Sequence, residues 1–275
     1  MKLSIIITHY KTPNLLESCL NSILEYIKGI EYEVIVTDSS ADLSTQVLLE
    51  EKFHFPNIRY MPFRDNVGYG RCVNAGIKKA KGDFIFIINA DILLQDETSV
   101  LAMTDYLKAH ESVGLVGAKL FNIDGSIQQS YFREPTLSAI LARRTNWRNT
   151  SWGKRALARY EFHRYNFENP LEVDWLMGSC LMTRRDALKE VGELDTRYWM
   201  YFEDVDWARR FRRHKYKVVY LPQAVLTHYH GHSSKGVKGM FDAFSNPYTR
   251  EHIKSYLTYL LKWNILAPLH FTSHL

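Results

Sequence analysis

A chain of 275 residues, 46% hydrophobic and 24% charged, carries enough apolar material for one large α/β domain or two small ones. Its 35 Lys and Arg against 30 Asp and Glu leave a net charge of +5, which suits an anionic ligand or surface and calls for no nucleic acid. The three cysteines, Cys19, Cys72 and Cys180, form no Cys-x-x-Cys pair, which argues against a disulfide framework or a cysteine zinc site and for reduced thiols in a cytoplasmic setting.

Residues 3–7 read as a buried first strand, an apolar run too short for a signal-peptide core. Leu15, Leu16, Cys19, Leu20, Ile23 and Leu24 then fall on one face of a helix over 13–26. A second strand at 33–38 ends in Asp38, and 42–51 is the helix after it. A short strand at 58–61 leads into Asn66-Val67-Gly68-Tyr69-Gly70-Arg71, a glycine-rich turn that opens a helix over 71–80. The five consecutive apolar residues 84–88 form a strand buried on both faces, which stops at Asn89-Ala90-Asp91. Such alternation implies parallel pairing through right-handed crossovers, a Rossmann-like half. A helix at 98–110 and a strand at 113–120 continue the pattern, and from 122 to 170 few alternations are visible. Regular structure resumes over 173–183, followed by a helix at 185–191, the acidic run 201–206 that opens a helix to 214, a strand at 216–221 and a helix over 247–263. The most apolar stretch, 257–269, contains Lys262 and Asn264 and falls short of a membrane span.

Three strands end in polar groups: Thr8-His9-Tyr10, Asp38-Ser39-Ser40 and Asn89-Ala90-Asp91. As parallel neighbours they would share the carboxyl edge of the sheet, where ligands bind in open α/β folds. A nucleotide laid there would meet acceptors for its base and ribose near Asp38, and its phosphates would meet a divalent cation at Asp91. Hard oxygen ligands favour Mg2+ or Mn2+ over zinc. The alternative is that Asn89 and Asp91 merely cap the next segment. The Gly68-Tyr69-Gly70 turn is no dinucleotide fingerprint, because Val73 takes the third small position and the motif belongs after the first strand. From it Asn66, Arg71 and Asn74 can reach toward a bound nucleotide; a purely structural turn is the competing reading.

Glu203-Asp204-Val205-Asp206 sets three carboxylates at a helix start, behind the aromatic run Tyr198-Trp199-Met200-Tyr201-Phe202. The helix dipole accounts for one or two of them. A carboxyl packed among apolar groups has its pKa raised, as a general base needs. His228, His230 and His232 alternate at the period of a strand face. The preferred functional role is for His228 to complete the metal site at Asp91, and solvent-exposed histidines are the alternative. Arg143, Arg144, Arg148, Lys154, Arg155, Arg159 and Arg164, interleaved with Trp147, Trp152, Tyr160 and Phe162, could hold nucleic acid, a phospholipid surface or a diphosphate-linked substrate, or form a solvated loop. With the C-terminal helix, where Trp263 and Leu266 stand beside Lys254 and Lys262, this stretch suits a peripheral contact with an anionic leaflet at the inner face of the plasma membrane. For that helix the alternative is packing on the main domain.

In this order the motifs resemble those of the inverting family 2 glycosyltransferases of the GT-A fold, their rhamnosyltransferase-like branch above all, over residues 2–234. The residues that carry the resemblance are the first strand to Tyr10, Asp38, Asn66-Val67-Gly68 with Asn74-Ala75-Gly76, Gly82-Asp83 leading to Asn89-Ala90-Asp91, Val173-Asp174-Trp175-Leu176-Met177-Gly178, the run from Tyr198 through Asp206, and His228. The resemblance implies an α/β GT-A fold, a Rossmann-like, mixed and mostly parallel sheet flanked by helices, with a C-terminal helical extension. It implies a GT-A domain over 1–232, with a nucleotide-sugar half at 1–95 and an acceptor half at 96–232, followed by the extension at 233–275.

The activity implied is metal-dependent transfer of a sugar, rhamnose being one candidate, from a nucleotide diphosphate donor to a glycan or lipid-linked glycan in cell-surface polysaccharide synthesis. By the same resemblance Asp204 is the base, Asp91 the metal-binding acid, and Thr8, Tyr10, Asp38, Asn66, Gly68, Arg71 and Asn89 belong to the donor site. Trp175, Met177 and Gly178 line the acceptor side, with Glu203 in support. Asn89 replaces the first acid of the Asp-x-Asp-type motif, as is usual in this branch, and Ala90 stands where proline is frequent. Ser39, Ala41 and Lys11 also depart from the pattern, which leaves the nucleotide base open. A sugar nucleotidyltransferase would share the core and metal but needs a glycine-rich loop after the first strand, which residues 8–15 lack. A non-catalytic nucleotide- or nucleic-acid-binding module is the rival of another class.

Overall fold

The computed structural model of the protein describes residues 2–53, 58–162, 168–229 and 246–265. Arg164, His230, His232 and Leu266 lie outside these residues. Strands β1 (Lys2–His9), β2 (Glu31–Asp38), β3 (Ile58–Pro62) and β4 (Phe84–Asn89) are connected by helices α1 (Pro13–Tyr26), α2 (Leu43–Lys52) and α3 (Tyr69–Lys79). They pair in the order β3-β2-β1-β4, all parallel. A parallel strand covered by helices on both faces must be apolar on both. Hence β1 delivers Ile5 and Ile7 to one core and Ile6 to the other, and β4 sends Phe86 and Ile88 one way and Ile85 and Ile87 the other.

Beyond β4 come β5 (Ile92–Leu94), α4 (Ser99–Ala109), β6 (Val113–Phe121), β7 (Ile127–Gln128) and β8 (Tyr131–Phe132). Next are α5 (Leu137–Arg144), a 3-10 turn at Asn146–Asn149, α6 (Ser151–Tyr160), β9 (Leu171–Glu172) and β10 (Trp175–Leu176). The described chain ends with β11 (Cys180–Arg184), α7 (Arg185–Val191), α8 (Glu203–Arg213), β12 (Lys217–His228) and α9 (Pro247–Lys262). β11 slots antiparallel between β4 and β6, β12 lies parallel to β6, and β5 closes the far edge, so the sheet reads β3-β2-β1-β4-β11-β6-β12-β5. It is the mixed, mostly parallel α/β sheet expected from the sequence.

Two segments are sharper in the structure than in the sequence. Residues 173–183 are shared between two sheets: β10 pairs with β8 in a separate two-stranded sheet, and only after the turn at 177–179 does the chain enter the main sheet as β11. The stretch 122–170 is not irregular, since α5 and α6 stand in it. Arginines dilute its apolar spacing, and the helices are started instead by caps: Thr136, Thr145 and Thr150 accept the amides of Ala139, Trp147 and Gly153.

Candidate active site

The parallel register sets His9 beside Asp38 and Thr8 beside Asn89 at the carboxyl edge of the sheet. There a cavity of about 390 Å³ opens, lined by Thr8, Tyr10, Asn66, Gly68, Asn89 and Asp91, all singled out in the sequence. Thr8 Oγ1 donates to Asn89 Oδ1 at 2.9 Å, tying the first strand to the fourth across the cavity floor. The floor is therefore rigid where a ligand would rest.

Asp38 lies under the cavity rather than on its wall. It is fully buried; Ser40 N, Ser40 Oγ and Tyr60 OH all donate to it, and His9 Nδ1 stands 3.0 Å from Oδ1. His9 Nε2 accepts the Thr12 amide at 3.0 Å, so the ring proton sits on Nδ1 and faces the carboxylate. Burial by itself would raise the Asp38 carboxyl, but the hydrogen bonds from His9, Ser40 and Tyr60 overcome it and hold the group well below the usual range. Its oxygens are already spent within the protein.

At the cavity's other side, β12 ends next to β5, which brings His228 to Asp91. The His228 Nε2 to Asp91 Oδ1 distance is 3.2 Å. Gln128 Oε1 accepts from His228 Nδ1 at 2.6 Å, which fixes the tautomer and aims Nε2 at the carboxylate. Among the described residues no three His, Cys, Asp or Glu side chains converge on one point. A buried imidazole with its second nitrogen held by an amide oxygen, facing a carboxylate that lines the cavity, fits a cation such as Mg2+ or Mn2+, which keeps most of its coordination for water and phosphate oxygens.

The turn at 66–69 clamps this edge to the loop that carries the acidic motif. Asn66 Oδ1 accepts the Gly68 amide, Trp199 Nε1 donates to Asn66 O at 3.0 Å, and Tyr69 N donates to Trp199 O at 3.1 Å. Gly68 has φ +85°, and a Cβ there would stand 2.2 Å from Trp199 O, so only glycine fits. Tyr201 and Phe202 follow at φ 69° and 67°, two consecutive left-handed residues, a strain found mainly where function demands it. That turn opens α8 with Glu203 and Asp204 in its first turn.

Asp204 is partly buried; Gly178 N donates to Oδ2 at 3.0 Å and Val205 N to Oδ1 at 2.8 Å. Burial outweighs these two bonds and pushes its carboxyl up to about 6. Glu203 is buried with Oε2 lacking a hydrogen bond, and burial followed by the charge of Asp204 raises it well above the carboxylate range. Tyr69 lines the cavity and its hydroxyl donates to Gly178 O, so the residue whose amide holds Asp204 is held in turn, through its carbonyl, from the cavity wall.

Other residues picked from the sequence sit elsewhere. Arg71 is exposed on α3 and does not line the cavity. Asn74 faces away from any nucleotide: its side chain exchanges two hydrogen bonds with the Leu194 backbone, at 2.8 and 2.9 Å, and so pins the loop before the acidic motif. Trp175 is buried, stacked on Phe132 at 4.5 Å with its Nε1 given to Arg133 O, while Met177 beside it is half-buried. Asp206 is fully buried and meets Arg210, Lys262 and Trp263, a structural role that the sequence pattern did not separate from that of Asp204. Lys262 and Trp263 thus turn inward, and α9 is packed on the domain rather than presenting them to a lipid surface. Its Tyr248 also lines the cavity. Gln128, Tyr69 and Tyr248 escaped sequence reading because each acts from an unremarkable local pattern; Thr8 and Asn89 were visible because they end strands.

The architecture is that of a GT-A glycosyltransferase. It matches the mannosyltransferase PcManGT of Pyrobaculum calidifontis, solved in complex with GDP-Man and Mn2+, with a TM-score of 0.61 at 16% identity, over 94% of this chain and 64% of that one. S. aureus TarS in complex with UDP-GlcNAc matches with a TM-score of 0.54 at 17% identity, over 84% of this chain and 60% of that one. The chain spans less than two thirds of either solved chain. Within that class, the model of "Glycosyl transferase family 2" matches residues 4–192, and the chain belongs to this family. It is 30% identical over 218 residues to the N-acetylglucosaminyl-diphospho-decaprenol L-rhamnosyltransferase of Mycobacterium tuberculosis, covering 73% of this chain and 67% of the relative. It is 22% identical over 268 residues to rhamnosyltransferase WbbL of Escherichia coli, covering 93% and 92%. The protein is a glycosyltransferase of the rhamnosyltransferase-like kind.

Proposed function

We propose that the enzyme transfers a deoxyhexose such as rhamnose, with inversion, from a nucleotide diphosphate to a hydroxyl of a glycan or lipid-linked glycan in cell-envelope polysaccharide synthesis. The observation that carries the reading is Asp204, a carboxyl raised to about 6 and oriented by two backbone amides, one of them from Gly178, whose carbonyl accepts the hydroxyl of Tyr69 in the wall of the cavity that also presents Asp91. Such a group is ionised at neutral pH yet basic enough to take the acceptor proton, a contribution of roughly 10²- to 10⁴-fold. Asp204 removes the hydroxyl proton as that oxygen attacks the anomeric carbon from the face opposite the diphosphate. One displacement on one face inverts the centre.

Thr8, Asn89 and the Asn66–Gly68 turn would seat the donor, and Asp38 would act one step removed, by fixing His9 and Ser40 beneath it. A divalent cation held by Asp91 and His228 would supply charge neutralisation for the departing diphosphate. Solved relatives of the fold with GDP-Man and Mn2+ or with UDP-GlcNAc support a nucleotide-sugar donor, and the decaprenol-linked relative supports a lipid-linked acceptor.

The test is a donor screen across uridine-, thymidine- and guanosine-linked sugars, reading nucleotide diphosphate release with and without Mn2+. Asp204→Asn should abolish release while donor still binds. His228→Ala should raise the Mn2+ concentration needed for half-maximal release by about tenfold. Near-normal turnover in Asp204→Asn would refute the assignment.

A further inference from the structure

The hairpin of α5 and α6 ends in a tip unlike the rest of the surface. Trp147 is 52% exposed and Trp152 48%. The two indoles meet edge to face at 5.7 Å. Residues 135–160 contain no Asp or Glu and six basic residues, of which Arg143, Arg148, Lys154, Arg155 and Arg159 are exposed.

The tip is rigid. Thr145 Oγ1 donates to Leu141 O and accepts the Trp147 amide, and Thr150 Oγ1 donates to Trp147 O and accepts the Gly153 amide. Gly153 packs so closely that a Cβ would lie 1.9 Å from Trp147 O. Side chains this large, held in the open by a fixed backbone, are displayed rather than left over from packing.

The root of the hairpin is at the acceptor side. Tyr160, the last residue of α6, is buried and stacks on Phe132 at 5.1 Å, and Phe132 stacks on Trp175. Arg143 Nη1 donates to the Tyr160 hydroxyl. Ten residues of α6 at 1.5 Å each set the tip about 15 Å from that root.

We infer that the exposed Trp147–Trp152 tip, with the surrounding arginines and lysine, is a docking surface for an anionic lipid bilayer. Indoles settle at the boundary between headgroups and acyl chains, and each Lys or Arg close to the surface gains from anionic headgroups. A single-stranded nucleic acid would also be drawn by the charge, but it wants open aromatic faces on which bases stack, and the edge-to-face pair covers one of them. This surface would hold the acceptor side of the enzyme against the bilayer, and its binding is measured without donor or acceptor, so it stands or falls apart from the transfer reaction.

The experiment is flotation of the intact chain with vesicles of phosphatidylcholine alone or with phosphatidylglycerol added, followed by tryptophan emission. Binding should require phosphatidylglycerol, weaken as salt is raised and shift the emission to the blue. Trp147→Ser with Trp152→Ser should lower vesicle affinity about tenfold or more, and Arg148→Glu with Lys154→Glu should do so independently, with unchanged thermal midpoints because all four side chains are exposed. No vesicle binding at low salt, binding that neither double variant weakens, or displacement of the protein from vesicles by an oligonucleotide would each overturn the inference.

Discussion

Asp204 joins two properties that pull against each other. A carboxyl with a folded pKa near 6, against an ordinary 3.8, binds its proton more tightly folded than unfolded. The folded state therefore loses stability as pH rises from about 4 to about 6, and above 6 the whole penalty is present. In the proposed reaction activity runs the other way, since a base works only when ionised, so kcat/KM should climb through about pH 6 while stability falls. Asp204→Asn should abolish transfer and, at pH 7, stabilise the fold by about 2 kcal/mol, a rise of a few degrees in Tm, seen by calorimetry. An Asn variant less stable than the parent at pH 7, or stabilised equally at pH 3.5, would contradict this account.

Tyr69 makes a finer test. Its hydroxyl holds the Gly178 carbonyl, and the amide of the same residue holds Asp204. Tyr69→Phe should cost about three- to tenfold in kcat, with donor KM little changed. Because a loosened amide stabilises the carboxylate less, the acid limb of the pH profile should also move up. A purely structural tyrosine would lower the folded fraction without moving that limb.

At the scale of elements, α9 is part of the active-site scaffold. Ser255 Oγ donates to Met200 O, and Tyr256 and Tyr259 pack on Phe202, so the strained turn before Asp204 is fixed from outside the sheet. Lys262 reaches both Asp195 and the fully buried Asp206. Lys262→Met should destabilise the protein by about 1–3 kcal/mol, because it leaves Asp206 with fewer partners, as urea unfolding would measure.

None of this was legible in the sequence, where residues 247–263 show only a helical period and a Trp beside lysines that fit a membrane face as well as a domain face. The strands were legible, because β1, β2 and β4 are buried on both faces and read as unbroken apolar runs. So were Asp91 and Asp204, one ending a strand and the other opening a helix behind an aromatic run. Asn74 was misread because an exposed turn and a buried pin look alike without their partner, Leu194, 120 residues away.

At the scale of the whole molecule, Asp91 and His228, the pair proposed to hold the metal, show how distance in sequence hides a site. Asp91 and His228 are 137 positions apart and meet only because β12 pairs with β5. The resemblance of the motif order to a known family bridged that distance, where spacing and composition could not. The same holds for Gly178 and Asp204, separated by a strand, a helix and a loop.

Strand order has a further consequence, for how the chain reaches its folded state. β4 is central in the finished sheet, yet its neighbour β11 is synthesised about ninety residues later, and until it arrives Ile85 and Ile87 belong to an open edge. Unpaired apolar edges invite association between chains, and pairings this distant in sequence form slowly. A fragment of residues 1–95 expressed alone should therefore collect in the insoluble fraction or depend on a chaperone, and co-expression of residues 96–275 should draw it into solution. The antiparallel strand that completes the sheet would then also be the step that ends the nascent chain's exposure to aggregation.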